Sequence, residues 1–123
     1  MDLADSEALF WELAQAMLAH AGVTRSTMMG LPCLRLEGAF FASFDRRTGM
    51  LVVKLPEARV DAMVEAGEAD AFAPAGRRFR EWAAIPAGDR VAWESALASA
   101  FEHAASAQPP SPASKSRGRR SAS

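Results

Sequence analysis

Residues 33–55, CLRLEGAFFASFDRRTGMLVVKL, limit what this chain can fold into more than any other stretch. Three short apolar segments are separated there by turn signals, Glu37-Gly38 and then Asp45-Arg46-Arg47-Thr48-Gly49. Segments this short are poor helices on their own, and their β-branched and aromatic content suits strands. In 33–37, Leu34 and Leu36 alternate with Cys33, Arg35 and Glu37. In 39–44, the same period-two rule places Phe40, Ala42 and Phe44 on one face and Phe41 and Ser43 on the other. With Thr24 to Met28 before and Met50 to Leu55 after, the pattern predicts antiparallel hairpins that turn one face inward, and Gly49 suits the longer loop because it tolerates positive φ. Cys33 then falls on the less buried side.

The flanking segments carry helical spacing. Asp5 or Ser6 caps a first helix running to about Ala21, with Phe10, Leu13, Ala14, Met17, Leu18 and Ala21 on its buried face and Gly22 as its stop. Pro56 opens a short second helix as its first residue, with Val60, Met63 and Val64 apolar and Gly67 at its end. Residues 68–76, EADAFAPAG, read as an irregular loop. GRRFREWAAIP reads as a further strand, with Phe79, Glu81, Ala83 and Ile85 on one side and Arg78, Arg80 and Trp82 on the other. Asp89 caps a last helix to about Ala105, whose stripe is Val91, Leu97, Phe101 and Ala104 with Trp93 and Ala100 beside it. The expectation is an α+β domain: an antiparallel sheet of about four to five strands packed against N- and C-terminal helices.

Charge divides the chain in two. Lys and Arg number 14 against 15 Asp and Glu, but 108–123, QPPSPASKSRGRRSAS, holds Lys115, Arg117, Arg119 and Arg120 and no acid. Residues 1–107 keep 10 basic and 15 acidic side chains, a net of −5. A length of 123 residues predicts one domain over 1–107, and the tail, without large apolar side chains, is expected to stay disordered. No apolar run approaches the ~18 residues of a membrane helix, and the N-terminus is acidic where a signal region is basic, which reads as a soluble cytoplasmic protein.

Chemistry-bearing patterns are few. Cys33 stands alone, without a disulfide mate, a zinc-ligand set or a base near it in sequence. His20 and His103 both sit near helix C-termini and neither has metal-ligand spacing; His20 in a last turn favours the helix dipole. Glu81 beside Trp82 is a carboxylate of raised pKa if buried, or an ion-pair partner of Arg78 or Arg80 if not. There is no Ser-His-Asp order, acid pair or Gly-rich phosphate loop. The reading is a protein that is not an enzyme and uses no cofactor or metal.

Several of these punctuation marks together resemble a known family. Met29-Gly30 stands before the first hairpin, Gly38 to Ala42 (GAFFA) forms its return, a strand ends on Lys54, Pro56-Glu57 opens a helix, and Gly76, Arg77 and Trp82 form a Gly-Arg-x-x-x-x-Trp segment. Over about residues 5–105 the chain resembles the N-terminal domain of the TfoX/Sxy group and the related MmcQ/YjbR proteins. That resemblance implies a curved antiparallel sheet packed on helices, and a nucleic-acid-binding or regulatory role. It brings no catalytic residue, and where full-length TfoX/Sxy proteins carry a second, helical domain the residues read here hold only the basic tail, so a competence role is not expected.

Two functions follow. A nucleic-acid reading uses Arg46 and Arg47 at a hairpin tip, Arg77, Arg78 and Arg80 on one strand, and Lys115, Arg117, Arg119 and Arg120 on the tail, as weak phosphate contacts with Trp82 available for stacking. The net −5 of the body opposes it. The alternative is an interaction module without DNA binding, its sheet face lined by Met28, Met29, Phe41, Lys54 and Trp82 and taking a small molecule or a protein. Monomer and dimer both fit the sequence.

Overall fold

The computed structural model describes residues 2–28, 30–73 and 76–107, with the Met28 side chain excepted. Its order is α1 (Leu3–Leu18), β1 (Val23–Met28), β2 (Leu31–Leu36), β3 (Ala39–Asp45), β4 (Met50–Lys54), α2 (Glu57–Glu65), β5 (Asp70–Ala71), β6 (Trp82–Ile85) and α3 (Arg90–Ala107). The fold is α+β, with one sheet of six strands ordered β1-β2-β3-β4-β6-β5 and every neighbouring pair antiparallel. β1 to β4 form a meander. The chain then crosses through α2 to β5 at the far edge and returns as β6 into the gap.

The sheet exceeds the four to five strands expected because β5 lies inside the segment read as an irregular loop. Two residues are too short to leave a periodic signal; β5 exists because β6 offers it a partner, pairing Asp70 with Ala84 and Ala71 with Ala83. α1 begins earlier than expected, because Asp2, not Asp5 or Ser6, is the cap and its carboxylate accepts from Asp5 N at 2.9 Å. It also ends earlier, at Leu18, with His20 N donating to Met17 O. Pro56 is the cap of α2, one position outside the helix it was expected to open. Asp89 caps α3 as expected, accepting from Ala92 N at 3.1 Å.

One core lies between the sheet and the helices. Leu9, Phe10, Leu13 and Ala14 of α1, Val60 of α2 and Trp93, Ala96, Leu97, Ala100 and Ala104 of α3 meet Leu34, Leu36, Phe41, Ala42, Phe44, Leu51, Val53, Ala83 and Ile85. Trp93 is wholly buried, its indole N–H donating to Ile85 O at 3.3 Å and Pro86 O at 3.0 Å, so the polar tip of this large side chain is satisfied where α3 leaves the sheet. Val91, expected on the stripe, is 70% exposed: α3 turns its Trp93-Leu97-Ala100-Ala104 side inward, and Val91 falls outside that arc.

Strict alternation fails in β3. Leu34 faces Ala42 and Arg35 faces Phe40, so Phe41 is an extra residue in the ladder. This bulge lets Phe41 and Ala42 both point into the core, followed by Phe44, and leaves Phe40 on the other face. Phe41 is 0% exposed and packs edge-on against Phe101, with ring centroids 6.1 Å apart. It is a core residue, not part of a binding surface as expected. The turn before the bulge follows from its residues: Glu37 (φ 52) and Gly38 (φ 87) adopt the paired positive φ of a two-residue hairpin loop, which glycine makes cheap.

Candidate functional site

The face of the sheet away from the helices is read most easily across the strands. Ser26, Cys33, Ser43, Val52, Ala84 and Asp70 lie side by side in one row, each opposite the next. These side chains are short. Longer ones flank the row: Arg35 and Phe40 toward one end of β2 and β3, Lys54 opposite Trp82, and Asp45 opposite Met50. Over β4, β5 and β6 a second apolar cluster forms from Val52, Phe72 and Ala84, with Met50, Phe79 and Trp82 against it and no helical residue among them.

The segment before β6 departs most from expectation. Only Trp82–Ile85 is strand. Phe79 N donates to Phe72 O at 2.9 Å and Trp82 N donates to Phe79 O at 3.1 Å, so 79–82 forms a turn that feeds β6. Phe79 therefore packs with Phe72 (centroids 5.9 Å apart) on the helix-free face, opposite to the Ala83/Ile85 face on which alternation would place it. Arg77, Arg78 and Arg80 lie outside the strand and form no common face. Arg78 bonds Asp61 on α2 at 3.0 Å, Arg80 reaches Glu57 at 3.9 Å, and Arg77 lies over the Phe79 ring, 5.5 Å from its centroid. Glu81 pairs with Lys54 at 3.9 Å, not with Arg78 or Arg80.

The hairpin-tip arginines are also engaged. Arg46 makes two bonds to Glu7 on α1, at 3.1 and 2.9 Å, and tethers the β3–β4 turn to the first helix. Its guanidinium holds the Glu7 carboxyl below the usual range. Arg47 reaches back to the buried Asp45, whose Oδ1 accepts from Arg47 N at 2.9 Å and from its Nε at 3.4 Å. The Arg47 side chain is nevertheless 64% exposed.

Beside that turn, on the helix-free face, lies a cleft of about 430 Å³. Met50, Phe72, Ala71 and Ala84 supply its apolar lining, and Asp45, Arg47, Thr48 and Asp70 its polar groups. Asp45 was not singled out from the sequence; its burial arises only where β3 turns into β4 under Arg47. A groove between α2 and α3 is lined by Arg59, Ser99, His103 and Ser106, with Glu102 beside them.

Of the partner-surface candidates, Trp82 and Lys54 stand together on this face and Phe41 does not. Met29, the Met28 side chain and Lys115, Arg117, Arg119 and Arg120 lie outside the described residues. Cys33, expected on the less buried side, is 0% exposed within the row of short side chains. Burial pushes its thiol above the ordinary value, against smaller opposing effects of Arg35 and Ser26. His20 stacks on Phe101, centroids 4.6 Å apart, while His103 lines the helical groove. Among the described residues no group of three His, Cys, Asp or Glu side chains is placed to hold a metal ion, and no helix is long and apolar enough to cross a membrane.

Comparisons with family models, curated proteins and solved structures return no match.

Proposed function

We propose that the protein is a non-catalytic binding protein that takes a small ligand with an apolar body and a polar head on the helix-free face of its sheet. The cleft beside the β3–β4 turn carries this reading. Met50, Phe72 and Ala84 offer an apolar floor, while the Asp45–Arg47 pair and Asp70 offer charge at one rim. Ligand sites combine an apolar lining with a few convergent polar groups in this way. In this reading Cys33, buried with its thiol pushed above the ordinary value, and the two histidines, one against Phe101 and one in the helical groove, take no part in binding.

A second reading rests on Arg77. Its guanidinium lies on the Phe79 ring beside Trp82, without an acidic partner among the described residues, an arrangement suited to stacking on a nucleic-acid base and consistent with the role the TfoX/YjbR resemblance implies. Arg46, Arg78, Arg80 and Arg90 are less available, because each already faces a carboxylate.

One experiment tests both. The amide spectrum of the ¹⁵N-labelled full chain is titrated with a panel of small aromatic amines and acids, and separately with a short single-stranded oligonucleotide. The first reading expects saturable shifts centred on Met50, Phe72 and Ala84 that Met50→Glu abolishes. It fails if the panel shifts nothing there. Shifts confined to Arg77, Phe79 and Trp82 on adding the oligonucleotide, lost in Arg77→Ala, favour the second reading instead.

A further inference from the structure

The two edges of the sheet are finished differently. β5 is two residues long and carries Asp70, so that edge is blunted by shortness and charge. β1 is six residues, VTRSTM, without proline. Its one charge is Arg25, whose guanidinium lies over the Trp11 ring of α1, 5.3 Å from the centroid, and so is drawn toward the helix side.

Hydrogen-bond alternation decides which β1 groups are already used. Glu37 N donates to Gly22 O at 2.9 Å, and the two-residue turn makes Leu36 and Ala39 a bonded pair. In β2, Leu36 and Leu34 therefore bond toward β3, and Arg35, Cys33 and Leu31 bond toward β1. Through the register, Thr24, Ser26 and Met28 turn their backbone groups to β2, while Val23, Arg25 and Thr27 turn theirs to the open edge. Val23 N is taken by His20 O at 3.3 Å. On that side the backbone groups of Arg25 and Thr27 make no hydrogen bond among the described residues.

We propose that this edge pairs with β1 of a second copy of the chain, antiparallel about a twofold axis through Ser26. A twofold axis normal to the sheet keeps each face on its own side, so only positions of equal parity oppose each other. Bonded pairs must then join odd positions, which carry the free groups. Two centred registers satisfy this. One sets Arg25 against Arg25, a direct like-charge contact. The other sets Arg25 against Thr27, twice, and Ser26 against Ser26. In the second register no charge faces its like, and the free donors and acceptors of Arg25 and Thr27 satisfy one another. The strand is its own complement, which is the reason to name a second copy as the occupant. The result is a sheet continuous through both copies.

The test is sedimentation velocity of the full chain over a concentration series, with Thr27→Lys and Thr27→Glu. Both substitutions alter an exposed edge position, so any common effect on strand propensity cancels between them. Against Arg25 of the other copy, lysine repels and glutamate attracts. Two such cross-strand pairs per dimer are expected to raise the dimer dissociation constant about tenfold for Thr27→Lys and lower it about tenfold for Thr27→Glu. Amide exchange of wild-type Arg25 and Thr27 should slow as concentration rises, a readout that needs no variant. A chain that stays monomeric throughout with fast exchange at both amides overturns the proposal. So does a dimer that both substitutions shift in the same direction, or that neither shifts.

Discussion

Phe40 and Phe41 are adjacent, chemically identical and oppositely placed, and truncating each in turn tests the β3 bulge. Phe41 is 0% exposed among core residues and against Phe101. Removing its ring deletes that burial and leaves a cavity, which costs about 3–5 kcal/mol for Phe→Ala in a packed core. Phe40 is half-buried, and the Arg35 guanidinium lies over its ring, 4.5 Å from the centroid. A cation–π contact at a partly exposed site is worth about 0.5–1 kcal/mol, and with the modest area lost Phe40→Ala should cost about 1–1.5 kcal/mol. The assay is urea unfolding followed by tryptophan fluorescence. With a slope of about 1.5 kcal/mol/M for a domain of this size, Phe41→Ala should lower the midpoint by about 2 M or more and Phe40→Ala by less than about 1 M. An unbulged strand with unbroken alternation puts Phe40 in the core with Ala42 and Phe44 and exchanges the two results. A larger loss for Phe40→Ala than for Phe41→Ala would therefore refute the bulge and the assignment of faces built on it.

Two further outcomes are expected. Cys33 is wholly buried with its thiol pushed up, so a thiol reagent such as dithionitrobenzoate should leave the native protein unmodified and label it fully in denaturant; rapid native labelling would show the row of short side chains to be open. The Glu7 carboxyl is held below its ordinary value by hydrogen bonds from Arg46, then by that charge. Because the folded value lies below the unfolded one, the pair stabilises the fold above the unfolded carboxylate pKa and loses that contribution as pH falls through the folded value. Arg46→Ala should thus unfold at lower urea than wild type at neutral pH and at nearly the same urea in strong acid, whereas a gap independent of pH would mean that Arg46 acts by packing alone.

Much of the architecture was legible because it is written in local signals. The Glu37-Gly38 turn needs positive φ twice, the Asp45–Gly49 loop ends on a glycine of positive φ, and Asp89 stands where a cap is required, so the order of the meander and the start of α3 could be read from local residues. The failures share a different cause. The bulge at Phe41 follows from how β2 and β3 accommodate α3, and a period-two pattern has no symbol for an inserted residue. The strand β5 exists only through its partner β6, and the start of β6 is set by the Phe79–Phe72 bond across a loop. Both are long-range events, and both fall in the part of the chain that builds the cleft.

The candidate site was accordingly less legible than the fold. Trp82 and Lys54 fall side by side on the helix-free face because they sit on a strand end and a strand whose alternation holds. Phe41 was misplaced because it is itself the inserted residue at which alternation breaks, and the Arg77–Arg80 run was read as strand, with Arg78 and Arg80 on one face, although its cations diverge to Phe79, Asp61 and Glu57. In a domain carrying a net −5, arginines close in sequence are drawn to separate acids contributed by other elements, and α2 alone supplies two of those partners. A basic run in an acidic domain therefore predicts a binding face only when no neighbouring element presents carboxylates to it. Here α2 does so for Arg78 and Arg80 and not for Arg77, whose guanidinium stays over the Phe79 ring.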